Sequence, residues 1–132
     1  MNSLLAVRIL YVIAALYDGL LGLIFLVAAP AVYNWSGITP PNHWGYVHFS
    51  AGTLAIFGYM FLAIARRPIE NRNLVPYGML LKVCYVLTVT WHELHGGVPM
   101  MWIYFAVADT VFLALFCWSQ GRLAAAAESK ST

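Results

Sequence analysis

Apolar residues fill four long stretches of this chain, which are separated by links richer in polar residues, proline or glycine. Each stretch has the roughly 20 residues that an α-helix needs to cross the hydrocarbon core of a bilayer. Backbone polar groups in lipid must pair within their own segment, which favours helices over strands. The stretches cover residues 7–29, 44–65, 74–94 and 99–119. The pattern therefore predicts an all-α integral membrane protein with four transmembrane helices.

The links predict how these helices are connected. The link of residues 30–43 contains three prolines and no Lys or Arg, whereas the link of residues 66–73 is short and rich in charged residues. A Gly-Gly pair ends two residues before Pro99, which indicates a helix stop followed by a helix start. Links this short favour an up-down-up-down bundle. Residues 120–132 are polar or small, so we expect a short tail after the fourth helix.

The composition supports a single membrane domain. Of the 132 residues, 62% are hydrophobic and only 9% are charged, whereas soluble domains carry about 25% charged residues. A soluble domain of this size could not bury so much apolar surface, so the lipid bilayer is the expected partner. The formal net charge of +2 is too small to indicate a nucleic-acid partner.

The basic residues predict the orientation of the chain. With four crossings, six of the seven Lys and Arg residues fall on one side, and cytoplasmic loops are the ones enriched in these residues. We therefore expect a multi-pass protein of the inner (cytoplasmic) membrane with both termini in the cytoplasm. The six residues are Arg8, Arg66, Arg67, Arg72, Arg122 and Lys130.

Three charged residues lie inside the predicted helices. Asp18 and Asp109 are near the middle of the first and fourth helices, and Lys82 lies in the third. A charge at the bilayer centre costs about 2.5–3.5 kcal/mol on insertion scales, so these side chains should face one another in a buried Asp–Lys–Asp cluster. Two interpretations stay open: a polar contact that fixes helix order and register, or a binding or proton-handling site.

All four histidines fall at the predicted outer ends of the second and third helices, where Trp91 and Glu93 also lie. His48 and His92 have matching predicted depths, and we expect them at the centre of a ligand-binding rim. Imidazoles there could bind a metal ion or haem iron, or donate a hydrogen bond to a quinone carbonyl. The competing interpretation makes these ordinary interfacial side chains. The candidate metal ligands are His43, His48, His92 and His95.

Small residues on the second predicted helix indicate a close helix contact. Glycine and alanine let helix backbones approach each other in a membrane. The residues are Gly45, Gly52, Ala55 and Gly58.

The two cysteines, Cys84 and Cys117, lie in apolar segments and form no CxxC pair. Their predicted depths differ by about 12 Å at roughly 1.5 Å per residue, which is too far for a disulfide. We expect both to be buried as small apolar side chains.

Short motifs across residues 5–119 resemble the DoxX-like superfamily of small four-helix membrane proteins. The similarity rests on Tyr17-Asp18-Gly19, on Arg72-Asn73-Leu74-Val75-Pro76 with Lys82 beyond it, and on Val107-Ala108-Asp109 followed by Phe112, Leu115 and Phe116. This superfamily includes a subunit of a quinone-linked thiosulfate oxidoreductase, and many members have no assigned activity. The resemblance implies a helical bundle and an association with a quinone or a membrane redox partner subunit.

Two functions follow from these observations. The first is an accessory or quinone-associated component of a membrane redox system. The second is a small transport or structural protein whose buried charges have no redox role. The sequence shows no clear catalytic motif, so it does not decide whether the chain is an enzyme.

Overall fold

The computed structural model describes residues 3–131, and side chains as far as Ser129, so that the Lys130 side chain lies outside the described part. This part of the chain is helical, and its four long helices are each long and apolar enough to cross a membrane, which confirms the predicted fold class at that level. The helices are α1 (Ser3–Trp35), α2 (Gly45–Arg66), α3 (Val75–Gly96) and α4 (Met100–Ser131), with a 3₁₀ turn at Arg72–Leu74 before α3.

Helix α1 continues past its predicted end at residue 29. Pro30 lies inside it, and the backbone is kinked at Ala28, with φ −132° and ψ 18°. Proline lacks an amide hydrogen, and its ring clashes with the carbonyl four residues earlier. A helix that continues past a proline is therefore kinked near it. The helix ends near Gly37, whose φ of 64° is the left-handed conformation common just after a helix.

Helix α4 also runs further than the sequence predicts. The segment from residue 120 that the sequence predicts as a tail is helical as far as Ser131. Leu123 is fully buried in the core, which fixes the first turn of the extension. Four alanines follow at residues 124–127, and alanine is the strongest helix former.

Backbone contact joins α1 to α2. A Cβ atom on Gly22 would lie 2.6 Å from the backbone nitrogen of Ala55, and one on Gly58 would lie 2.6 Å from the Cα of Gly19. Small side chains permit this approach. Ala55 and Gly58 therefore have the predicted packing role, whereas Gly52 faces open space.

Two aromatic clusters form the core. The first contains Tyr11, Phe61 and Phe116, and the rings of Tyr11 and Phe116 stack with centroids 5.0 Å apart. The second contains Phe25 and Tyr33 from α1. Along α1, Asp18 lies between the two, so a polar layer separates two apolar ones.

The cysteines do not belong to this core. Both Cys84 and Cys117 are exposed on the outer surface of their helices, so the expectation that they are buried is wrong. Their helices, α3 and α4, pack on each other, but each cysteine lies on a face directed away from the core.

Candidate functional site: a buried ion cluster beneath an aromatic cavity

The ammonium group of Lys82 joins α3 to two other helices. Its Nζ donates to Oδ1 and Oδ2 of Asp18 at 2.8 and 2.7 Å, and to Oδ1 of Asp109 at 2.8 Å. A lysine has three donor hydrogens, and these three contacts account for all of them. Lys82, Asp18 and Asp109 are 0%, 1% and 6% exposed. We refer to these three residues as the ion cluster.

Two aromatic rings complete the surroundings of the lysine. Its Nζ lies 5.4 Å from the ring centroid of Tyr17 and 5.4 Å from that of Phe112. The two rings are 5.2 Å apart and tilted by 36°. The faces of aromatic rings attract a cation at this distance, so the rings add to the stabilisation that the carboxylates give.

The two aspartates of the cluster are not equivalent. Asp18 uses both oxygens to accept from Lys82, whereas Asp109 uses only Oδ1. The Oδ2 atom of Asp109 has no hydrogen-bond partner within residues 3–131. With both carboxylates ionised, the cluster carries two negative charges and one positive charge, a formal net charge of −1.

A cavity of about 520 Å³ lies beside the ion cluster. This volume is within the range of about 300–1,000 Å³ that is typical of small-molecule sites. All four helices contribute to its lining. The lining residues are Tyr17, Asp18, Leu21, Phe25, Tyr33, Tyr46, Val47, Phe49, Ser50, Ala51, Thr53, Leu54, Leu81, Tyr85, Trp102, Phe105 and Asp109.

Aromatic rings from α1 and α4 form much of the cavity wall. Trp102 lies 5.9 Å from Phe25 and 6.0 Å from Tyr33, measured between ring centroids. Phe105 lies 6.0 Å from Trp102. These contacts hold the rings of the wall against one another.

Two tyrosine hydroxyls supply polarity within this wall. The Tyr85 hydroxyl donates to the backbone oxygen of Trp102 at 3.3 Å. The Tyr17 hydroxyl is buried and has no hydrogen-bond partner in the described chain. Most buried polar groups in proteins are hydrogen-bonded, so the unpartnered hydroxyl of this cavity-lining residue is a candidate hydrogen-bond donor to a ligand.

Sequence position carries a usable signal for these lining residues. Phe25 lies seven residues after Asp18, and Trp102 seven before Asp109, which is two helical turns in each case. Tyr85 follows Lys82 by three. Residues at such spacings share a helix face. Aromatic residues on the helix face of a buried charge are therefore a sequence signal for individual lining residues, although not for the cavity as a whole.

The histidines of the second helix end lie outside this cavity. The His43 Nδ1 accepts from the backbone amide of Gly45 at 3.0 Å, which is a local turn contact. His48 stacks on Trp44, with ring centroids 6.5 Å apart. Both rings thus contact neighbours in sequence.

The other rim residues, at the end of α3, are exposed. His95 stacks on Trp91 at 4.0 Å, and Glu93 accepts from the backbone amide of Val98 at 2.8 Å. No hydrogen bond or ring contact joins His92 to His48 in residues 3–131. The same part of the chain contains no group of three or more His, Cys, Asp or Glu side chains that could hold a metal ion. None of these contacts joins the α2 histidines to the rim residues of α3, so the predicted rim site stays a prediction.

Comparison with known proteins identifies no relative of this chain. No family model matches the chain, and no curated protein or solved structure matches it either. The resemblance to the DoxX-like superfamily therefore rests on the sequence motifs alone and stays a prediction.

Proposed function

We propose that this chain is an up-down-up-down four-helix protein of the inner membrane, related to the DoxX-like superfamily, that serves as an accessory, quinone-associated component of a membrane redox system. The four apolar helices support the membrane location. Gly19 faces Gly58, and Gly22 faces Ala55 and Ala51, so contacts between α1 and α2 run in opposite sequence order, as an up-down arrangement requires. The basic residues support a cytoplasmic location of both termini.

The proposed quinone site is the aromatic cavity, and the unpartnered hydroxyl of Tyr17 is the observation that carries it. A quinone head group is a flat ring with carbonyl acceptors. Its ring fits between aromatic side chains such as Trp102 and Phe105, which favour offset or edge contacts. A carbonyl oxygen of the ring would accept the hydrogen bond that Tyr17 does not make within the protein.

The surroundings of the cavity also suit a ligand with a long apolar tail. Phe49 and Tyr46 line the cavity, yet they are 78% and 70% exposed on α2. Helices α2 and α3 have little contact with each other, so the cavity is not closed between them. The head group can occupy the cavity while an apolar tail lies in the surrounding lipid.

The chemistry in this proposal belongs to the quinone, which supplies two-electron transfer when bound. The residues of this chain bind and orient it. Lys82 is not available as a donor, because its three hydrogens are engaged by Asp18 and Asp109. Tyr17 is therefore the orienting donor, and the ion cluster holds Tyr17 in place through its lysine.

A binding experiment with matched variants tests this function. Protein purified in mild detergent is first analysed for metals and for quinone in its lipid extract, and is then titrated with a short-chain benzoquinone. We expect co-purified quinone, and affinity up to about tenfold weaker in Tyr17→Phe, since a hydrogen bond contributes about 0.5–1.5 kcal/mol. Tyr104→Phe is the control, because Tyr104 is 67% exposed and does not line the cavity.

The outcomes separate the proposed function from its alternative. Equal benzoquinone affinity in Tyr17→Phe and wild type would show that the Tyr17 hydroxyl does not bind the quinone. Wild-type protein that neither retains nor binds a quinone would refute the redox association. The transport or structural interpretation of the ion cluster would then take its place.

A further inference from the structure

The charges that face the cavity are all of one sign. Among its lining residues, Asp18 and Asp109 are charged and both are acidic. Lys82 is fully buried and does not line the cavity, so the lysine lies behind the carboxylates. No other Lys or Arg contributes to the lining. A ligand in the cavity therefore meets acidic oxygens and not the ammonium group.

One of these two carboxylates has an oxygen that accepts no hydrogen bond in the described residues. Asp109 is 6% exposed, and its Oδ2 has no partner in the described residues, whereas both oxygens of Asp18 are engaged by Lys82. A buried charge is costly unless it is paired and hydrogen-bonded. With both carboxylates ionised, the excess negative charge and the oxygen without a hydrogen-bond partner both belong to Asp109, which lines the cavity.

The rest of the wall selects the kind of cation that could balance this charge. Metal ions such as Ca²⁺ require about six to eight oxygen ligands, and the cavity lining is mostly aromatic and aliphatic. Aromatic faces such as those of Trp102 and Phe25 attract cations, especially where water is excluded. Apolar substituents around a positive centre would fill the space that hydration would fill around a metal ion.

We propose that the cavity is a binding site for a lipophilic organic cation, with its positive centre against Asp109 Oδ2 and its apolar groups among the aromatic rings. This goes beyond quinone binding and does not depend on it, because it rests on the charge of the lining and not on the Tyr17 hydroxyl. A quinone and such a cation would compete for the same space.

Two probes of nearly equal size and opposite charge test this inference. Wild-type protein in nanodiscs of zwitterionic phosphatidylcholine is titrated with tetraphenylphosphonium and with tetraphenylborate, and empty nanodiscs are subtracted. We expect saturable binding of the cation at one site per chain and no saturable binding of the anion. Equal binding of both probes, or no saturable binding of the cation, would overturn the inference.

Variants then locate the site. Asp109→Asn should weaken cation binding at least about thirtyfold, because it removes a buried charge from the contact. Glu70→Gln is the matched control: it removes the same charge from an exposed link and should keep wild-type affinity. Wild-type affinity in folded Asp109→Asn would refute the placement.

A second variant decides the question if Asp109→Asn does not fold. Trp102→Leu keeps both acids and removes one aromatic face, and we expect roughly threefold to tenfold weaker cation binding. Trp35→Leu is its control, since Trp35 is 88% exposed and does not line the cavity. Equal affinities in these two variants would contradict the aromatic contribution and the location.

Discussion

Lys82 holds Asp18 with two hydrogen bonds, of 2.8 and 2.7 Å to the two oxygens of one carboxylate. The contact joins residues 64 positions apart in sequence and thereby fixes α3 against α1. It also leaves a single lysine hydrogen for Asp109 on α4. The asymmetry between the two aspartates, and with it the free acidic oxygen on the cavity wall, follows from this pairing.

Removing the lysine should strongly destabilise the protein. Lys82→Met leaves two buried carboxylates without their partner, and breaking a buried ion pair costs about 3–5 kcal/mol. Chemical denaturation in detergent measures the free energy of unfolding. A double variant with Asp18→Asn should recover part of the loss. Arg66→Met, at an exposed cation, should change stability by no more than about 0.5 kcal/mol; an equally small effect of Lys82→Met would contradict the buried pair.

The two aspartates should differ in their contribution to stability. Asp18→Asn replaces one of the two oxygens that accept from Lys82 with an NH₂ group that cannot accept, whereas Asp109→Asn can keep its single Oδ1 contact. Both substitutions change the formal charge of the cluster from −1 to zero. Hydrogen bonds to charged groups contribute about 1.5–3 kcal/mol each, so we expect the Asp18 variant to be less stable by roughly that amount. Thermal unfolding of the two variants under identical detergent conditions makes the comparison. A less stable Asp109→Asn would reverse the roles assigned here.

The glycines between α1 and α2 should tolerate no side chain. In Gly22→Ala the new Cβ atom would lie 2.6 Å from Ala55 N and 2.7 Å from Ala51 O, so the helices must separate. The melting temperature should fall. Gly52→Ala is the control, because nothing lies within 4 Å of that position, and alanine improves helix propensity by about 1 kcal/mol. Similar melting temperatures for the two variants would show that the helices do not pack this closely.

The orientation can be tested by thiol labelling from either side of the membrane. In a background without Cys84 and Cys117, Ser36→Cys should react with an impermeant reagent added from outside. Ser129→Cys should react only after the membrane is permeabilised, since the distribution of the basic residues predicts a cytoplasmic location for that end. Labelling of Ser129→Cys in intact cells would refute the proposed orientation.

The sequence was sufficient for the helices and for the residues of the ion cluster. A run of apolar residues long enough to span a bilayer leaves few alternatives to a helix, and charges such as Lys82 are rare within such runs. Two helix ends were harder to place. Pro30 can end a helix or kink it, and burial of Leu123 depends on neighbours that are distant in sequence.

The position of the cavity could not be predicted for a related reason. Its lining comes from all four helices, so it exists only once their packing is known. The number and location of the histidines favoured a ligand-binding rim in the sequence analysis. Residue type alone, however, cannot distinguish a ligand-binding histidine from an ordinary interfacial one. Ring contacts such as that of His95 with Trp91 become visible only in the structure.

The proposal that the aromatic cavity beside the ion cluster binds a quinone can be tested directly by photolabelling. Wild-type protein in nanodiscs is irradiated with an azido-benzoquinone, and the modified residue is identified by mass spectrometry, with excess unlabelled quinone as competitor. We expect adducts that the competitor suppresses on cavity residues such as Tyr17, Tyr85 or Trp102. Such adducts confined to the rim residues Trp91, His92 and His95 would contradict the proposal.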